Sequence, residues 1–402
     1  MTYLDWAATA LPDPQVIEAY ARAAVEYSGN PSSPYPAGKA ARSALEDARA
    51  RSAAVLGCRS EQLAFTSGGT EANAIVLLSK LLLREPGTLL VSGLEHPSVA
   101  ETAAILGSQG WKLKEIPPDP DGRISSGKIT KALEQNPDIR LVAVMGVNNE
   151  TGAIQPLPEL IAAVRSFQTE KTNGRPIHFH ADLVQAAGKI PVNLGKLDVD
   201  TASFSAHKFR GPRGIGLLYH RNPKFEAFIR GGGQEHGVRP GTENTAGAVA
   251  IALALELHGS PSPEVQKNGA WLLKELITRP GLAGKAKIVP EIRGQLTSAE
   301  VAADASQNYA PGIIAVSFPP IPGEVLARVL AESGYSVSTG SACSNNKKGK
   351  LPKAMLAMKV PKTIATGMIR ISIGGITTRE ELEEFLVVLE RNIEILTPFI
   401  FS

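Results

Sequence analysis

Over the first half of the chain, short apolar runs alternate with helix-like stretches, and run after run ends in a polar cluster. Gln62-Leu63-Ala64-Phe65 leads into Ser67-Gly68-Gly69-Thr70, and a helical pattern follows through Glu71-Ala72-Asn73-Ala74-Ile75. Thr88-Leu89-Leu90-Val91 ends before His96, and Leu141-Val142-Ala143-Val144-Met145 ends at Asn148-Asn149-Glu150. Residues 177–181 end at Asp182, and Thr201-Ala202-Ser203-Phe204-Ser205 ends just before His207-Lys208. Alternating strands and helices predict a mostly parallel α/β sheet. Open sheets of that kind bind ligands at the carboxyl ends of their strands. The polar clusters are therefore expected to converge on one edge.

Beyond about residue 258 the texture changes. His258-Gly259-Ser260-Pro261-Ser262-Pro263 reads as a linker. Strand patterns at Ile313-Ile314-Ala315-Val316-Ser317-Phe318 and Met368-Ile369-Arg370-Ile371-Ser372-Ile373 then mix with helical ones. With 402 residues, two domains are expected: a large one over 15–258, and a smaller α+β one from 1–14 and 259–402. Hydrophobic residues make up 43% and charged residues 20%, enough for a buried core. A net charge of +3 argues against a dedicated nucleic-acid binder. The one dense basic stretch, Lys347-Lys348-Gly349-Lys350, reads as a solvated loop. No apolar run approaches the ~20 residues that span a bilayer, so no membrane association is expected. Met1-Thr2-Tyr3-Leu4-Asp5-Trp6 lacks the pattern of a signal peptide. Cys58 and Cys343 cannot build a disulfide framework, which makes a cytoplasmic location the expectation.

Three clusters together match the requirements of pyridoxal 5′-phosphate (PLP): a lysine for a Schiff base, an acid for the pyridine nitrogen and donors for the phosphate. Lys208, in Ser205-Ala206-His207-Lys208, supplies the amine, with Gly211-Pro212-Arg213-Gly214 behind it. Asp182 supplies the acid, and Gln185 lies three residues on, within reach of the ring's phenolic oxygen. Ser67-Gly68-Gly69-Thr70 offers glycines and a helix N-terminus, both suited to a phosphate. Taken alone it is also an ordinary helix cap. Ser205 and His207 add donors from the lysine side, and His96, before Pro97, is placed to stack on the ring or move protons. A metal reading competes: His178, His180 and Asp182 alternate along one strand and share a face. It leaves Lys208, Gln185 and the glycine turn without a role. A nicotinamide dehydrogenase is disfavoured because no convincing Gly-x-Gly-x-x-Gly turn joins the first strand and helix.

These motifs, with Gly29-Asn30-Pro31-Ser32-Ser33, Gly231-Gly232-Gly233-Gln234-Glu235, Arg239-Pro240-Gly241-Thr242-Glu243-Asn244 and Ser338-Thr339-Gly340-Ser341-Ala342-Cys343, run nearly end to end. In their order the chain resembles the cysteine desulfurases, in the class V aminotransferase group of fold-type I PLP enzymes. The resemblance implies a large mostly parallel-sheet domain plus a smaller α+β domain carrying a cysteine loop at about 338–352. It implies Lys208 as the Schiff-base lysine, Asp182 and Gln185 as ring partners, and His96 as the stacking residue. Asn149 would lie near the phenolic oxygen and substrate. Gly69, Thr70, Ser205 and His207 would hold the phosphate. Thr242 would reach the phosphate of the neighbouring subunit in a homodimer, and Arg370 would hold the substrate carboxylate, a task that suits its bidentate fork.

Cys343 sits in a polar, glycine-flanked stretch near Lys347 and Lys348, the exposed and electropositive setting that favours a thiolate. Cys58, in Val55-Leu56-Gly57-Cys58, reads as a small buried hydrophobe. The implied reaction converts L-cysteine to L-alanine, with Lys208 moving the Cα proton and the sulfur passing to Cys343 as a persulfide. An acceptor protein then takes the sulfur: an iron–sulfur scaffold, a tRNA-thiolation protein or another carrier. Selenocysteine cleavage and amino transfer are the alternatives on the same scaffold, and a non-catalytic scaffold is the alternative of another class. The chain departs from the family pattern at Pro34-Tyr35-Pro36, where many relatives carry a histidine. It also ends at Pro398-Phe399-Ile400-Phe401-Ser402, where relatives that dock an iron–sulfur scaffold often run longer.

Overall fold

A computed structural model describes residues 1–172, 175–295, 307–339 and 351–398. Cys343, most of the expected cysteine loop and the end of the tail lie outside the described residues. The strand β1 spans Thr2–Tyr3. A large sheet follows, from β2 (Leu63–Thr66), β3 (Thr88–Ser92), β4 (Lys112–Ile116), β5 (Ile139–Ala143), β6 (His178–Asp182), β7 (Thr201–Ser205) and β8 (Gly216–His220). Among the described residues these seven strands lie in the order β2-β8-β7-β6-β5-β3-β4. β8 runs antiparallel to both its neighbours, and the other pairs are parallel. The expected strands sit within two residues of these limits.

The runs read as continuously apolar because the sheet is covered on both faces. Alternate residues feed two different cores. Phe65, Val142, Phe179, Ala181 and Phe204 pack on one side with Val16, Leu45 and Ile251, from helices Pro14–Glu26, Pro36–Leu56 and Thr245–His258. Ala64, Leu141, Ala143 and Leu218 pack on the other side with Ile75 and Val99, from helices Gly69–Leu78 and Pro97–Ser108. Residues 259–262 separate helix Thr245–His258 from helix Pro263–Thr278, where Ser262 caps the new helix by accepting from the Val265 N–H.

A second sheet, all antiparallel, comprises β9 (Lys287–Val289), β10 (Ile313–Ser317), β12 (Ser338–Thr339) and β13 (Met368–Ser372), in the order β12-β13-β10-β9. The short strand β11 (Tyr335–Ser336) pairs with β1, so the start of the chain lies against this half of the molecule. Ile314, Val316, Ile369 and Ile371 face a core with Leu4, Leu326 and Phe385. Ala315 and Met368 face the other way and join Leu94 and Met145, from the strand-end loops of the large sheet. Arg370, at an even position of β13, shares that face and is turned toward the large sheet.

Arg49 is among the most deeply buried side chains. It donates to the Leu63 carbonyl at 2.9 Å and to Glu235 Oε2 at 2.6 Å, and Glu235 also accepts from the Phe65 N–H at 2.7 Å. Replacing Glu235 with alanine leaves the buried Arg49 guanidinium with only the half-exposed Glu46 carboxylate, 3.1 Å away, and strands the buried Phe65 N–H, a loss of about 3 kcal/mol. The expected result is a clear fall in the urea midpoint, and an unchanged midpoint would show that Glu46 alone is enough to hold Arg49.

Candidate active site

The strand-end clusters do converge. At the carboxyl edge of the large sheet they line a cavity of about 180 Å³. Its walls include Gly69, Thr70, His96, Asn149, Asp182, Gln185, Ser205, His207, Lys208 and Arg370, every expected site residue except Thr242 and Cys343. Thr242 is exposed and does not line this cavity. A larger cavity, of about 400 Å³, lies behind Lys208 between Trp6, Lys189 and His258. It lacks the acid, the glycine turn and the arginine, so the chemistry belongs to the smaller one.

The turn after β2 gives the cavity its floor. Gly68 has φ +153, a conformation that side-chain-bearing residues avoid. A Cβ at Gly69 would stand 2.4 Å from Val184 Cγ2. The first N–H groups of helix Gly69–Leu78 therefore open onto the cavity, as a phosphate requires.

Asp182 is 4% exposed, at the end of β6. Its Oδ1 accepts from the Val184 N–H at 3.0 Å and its Oδ2 from Asn73 Nδ2 at 2.9 Å. The amide of Asn73 also donates to Ser98 Oγ at 2.8 Å, and its Oδ1 lies 2.9 Å from His180 Nε2. Thr201 Oγ1 lies 2.9 Å from His180 Nδ1 and 2.8 Å from His178 Nε2. Only one proton arrangement satisfies every contact once the amide is oriented by Asp182. His178 donates to Thr201, Thr201 to His180, His180 to Asn73, and Asn73 to both Asp182 and Ser98. The Ser98 hydroxyl then donates to His96 Nδ1, 2.8 Å away, which leaves the proton of neutral His96 on Nε2. Burial lowers the basicity of all three histidines, His180 to about 4, in keeping with neutral rings. For His96 the Lys208 charge lowers it further and Asp182 opposes the shift.

This network bears on the metal reading. The alternation does put His178, His180 and Asp182 on one face, but the His180 nitrogens and His178 Nε2 are engaged by Thr201 and Asn73. Among the described residues, no group of three His, Cys, Asp or Glu side chains is placed to hold a metal ion.

The start of the chain closes the cavity. Lys208 Nζ donates to the Ala7 and Ala8 carbonyls at 2.9 and 2.7 Å, and Gln185 Nε2 to the Ala7 carbonyl at 2.8 Å. Gln185 Oε1 is buried without a partner among the described residues. Arg370 donates to Asp5 Oδ1 at 2.7 Å and to the Asn149 carbonyl at 2.8 Å, and its buried Nε has no partner among the described residues. His207 Nδ1 lies 3.1 Å from Thr9 Oγ1. Asn73, Ser98, Asp5 and Lys189 were not singled out by sequence reasoning. Lys189 Nζ donates to the Lys208 carbonyl at 3.3 Å, and burial together with the Lys208 and Arg370 charges lowers its basicity to about 7. Cys58 packs against the large core but is only partly buried where a buried residue was expected, and burial pushes its thiol up to about 12, which disfavours a thiolate.

The aminotransferase class-V family model matches residues 2–385. The chain belongs to that family. It is 36% identical over 396 residues to the cysteine desulfurase IscS of Dictyoglomus turgidum, covering 98% of this chain and 94% of the relative. It is 36% identical over 394 residues to a NifS/IcsS protein homolog of Lactobacillus delbrueckii subsp. bulgaricus, covering 97% and 96%. A solved NifS-like protein superposes with a TM-score of 0.84 at 33% identity, covering 98% of this chain and 99% of its own. Members of the family depend on PLP, and the site suits it. The class-V chain offers a buried carboxylate, a lysine, a glycine cradle that a Cβ would fill, and unpartnered buried atoms on Gln185 and Arg370.

Two predictions follow from this geometry. Gly69→Ala pushes Val184 into the cradle and is expected to weaken PLP retention about tenfold, roughly 1.4 kcal/mol, with Gly69→Ala/Val184→Ala restoring it. Equilibrium dialysis of the cofactor checks both variants. The second concerns Glu95, 2% exposed, whose Oε1 accepts from the Met145 N–H at 2.5 Å while Oε2 has no partner among the described residues. Burial, reinforced by the Asp182 charge, raises its carboxyl from 4.5 to about 8. A raised acid favours folding while protonated, so its contribution is lost as pH climbs from 4.5 to about 8. Glu95→Gln needs no proton. Its melting temperature should gain on wild type across that window and level off above it; a constant difference would show that Glu95 does not titrate there.

Proposed function

We propose that this protein is a PLP-dependent cysteine desulfurase that converts L-cysteine to L-alanine and passes the sulfur through Cys343. The observation that carries the reading is the convergence of Lys208, Asp182 and Arg370 on one cavity beside the strand that leads into the cysteine segment. Ser338 pairs with Arg370 across β12 and β13, and Thr339 is the last described residue before Cys343. Four residues of chain reach up to about 14 Å, a length compatible with a thiol that visits the cavity and leaves it.

Bound PLP would supply the electron sink that allows the substrate Cα–H bond to break. Asp182, fixed by Val184 and Asn73, would keep the ring nitrogen protonated. Gly69, Thr70, Ser205 and His207 would hold the phosphate, and Gln185 and Asn149 would face the phenolic oxygen. Lys208 Nζ would take and return the Cα proton. The free Nε of Arg370 would anchor the substrate carboxylate. His96 presents an Nε2–H donor to the cavity, suited to stack on the ring and to hand over a proton. The Cys343 thiolate would attack the substrate sulfur: an S–S bond forms, the Cβ–S bond breaks, and its electron pair stays with the carbon skeleton that is protonated to alanine.

Thr242 is exposed and does not line its own cavity, which suits a contact across a homodimer to the partner's phosphate site. Sulfur delivery to an acceptor protein, in iron–sulfur cluster assembly or another thiolation route, and a cytoplasmic location complete the proposal. Among the described residues, no helix is long and apolar enough to cross a membrane.

The decisive experiment incubates the yellow protein with L-cysteine and a reductant and assays sulfide and alanine together. Equal amounts of both are expected. Cys343→Ala should keep the visible band and lose at least 100-fold in alanine formation, on the scale of removing a covalent nucleophile. Full activity in Cys343→Ala would refute the relay, and neither product from a yellow protein would move the assignment to selenocysteine or another amino acid.

A further inference from the structure

The opposite, amino-terminal edge of the large sheet carries a cavity of its own, of about 670 Å³. Its lining is basic. Lys80, Arg140, Arg165 and Arg221 face it, with Asp198 and Asp200 as the acids on its wall. Those acids are already matched. Arg165 donates to Asp198 at 3.2 Å and to Asp200 at 2.8 Å, and Arg221 donates to Asp198. Asp200 is further occupied by the Phe179 N–H at 2.7 Å.

Two cations remain. Lys80 is 9% exposed and makes no ion pair or hydrogen bond through its ammonium among the described residues. Arg140 has no carboxylate partner among the described residues, and its Nε is buried without any acceptor. Lys80 sits just past the carboxyl end of helix Gly69–Leu78, where the helix dipole offers about half a negative charge. That is too little to satisfy the buried Lys80 together with the half-buried Arg140. Burial accordingly weakens the Lys80 ammonium, down to about 8, against the pull of Asp200. Buried cations are ordinarily paired. The lining also includes an apolar wall from Leu83, Ile177 and Phe225.

We infer that this cavity is an anion site for a small phosphate monoester, with the phosphate between Lys80 and Arg140 and the organic body against Phe225. The ester class follows from the arithmetic of the wall. Four cations less two acids leave two positive charges, the complement of a phosphate monoester at neutral pH. An arginine fork and a lysine point charge are the two side chains that bind phosphate most readily. The site is separate from the PLP pocket: the two line opposite edges of the sheet and share no residue.

The test is calorimetric titration of the PLP-loaded protein with glycerol 3-phosphate, with glycerol as the uncharged control and the visible band followed throughout. Saturable binding of the ester alone, with the band intact, is expected. Lys80→Met and Arg140→Gln should each weaken it at least tenfold, about 1.4 kcal/mol. Lys80→Met removes an unpaired buried charge and is expected to fold. No saturable binding, equal binding of glycerol, displacement of the band or unchanged affinity in both variants would each overturn the assignment.

Discussion

Residues 2–10 thread between the two sheets, and the cavity depends on them. Leu4 is buried in the small core and Ala7 in the large one, so one short segment is anchored on both sides. The Ala7 N–H donates to Ser372 Oγ at 2.9 Å, next to Arg370 on β13, and the Ala10 N–H donates to the His207 carbonyl at 2.8 Å, next to Lys208. Between those anchors, the Ala7 and Ala8 carbonyls fix Lys208 and Gln185, and the Asp5 carboxylate fixes Arg370. Gly374 carries the same segment: a Cβ there would stand 2.3 Å from the Trp6 ring. The amine, the amide and the guanidinium therefore take their positions from one strap.

Behind the strap lies a second constraint, a carboxylate buried without a cation in hydrogen-bonding contact among the described residues. Asp182 is held by a backbone N–H and by Asn73, Asn73 is held in turn by His180, and His180 by Thr201. Removing a group from the middle of such a chain strands its neighbours, because each buried donor has a single acceptor. The direction of donation, from His178 toward Asp182 and His96, follows from the carboxylate being able only to accept. The same chain that steadies the acid fixes the tautomer of His96.

Much of this was legible in the sequence, for a physical reason. A sheet covered on both faces needs uninterrupted apolar strands, so a polar residue stands out where a strand stops, and that is where the cavity forms. His96, Asp182 and Lys208 were found that way. Asn73 was not, because it lies inside a helix whose residues are mostly buried, where one amide gives no periodic signal. Ala7 and Ala8 contribute carbonyls, which no residue type announces. The metal reading failed at the level of contacts rather than pattern. The alternation puts the side chains on one face, but only the folded chain brings Thr201 and Asn73 to the ring nitrogens.

Lys80 was invisible for a related reason. It follows Leu77-Leu78-Ser79 and precedes Leu81-Leu82-Leu83, the setting of a lysine that snorkels from an apolar helix end to water. The fold turns it into the cavity at that edge instead. The ten-residue helix Gly69–Leu78, about 15 Å long, starts at the glycine cradle on one edge of the sheet and ends at Lys80 on the other. Its positive end is directed to the cavity with the buried acid, and its negative end to the cavity with the unpaired cations. At the first end the free N–H groups and the positive pole suit a phosphate; at the second the negative pole offsets only part of the charge on Lys80 and Arg140, which leaves that edge suited to an anion that the chain itself does not provide.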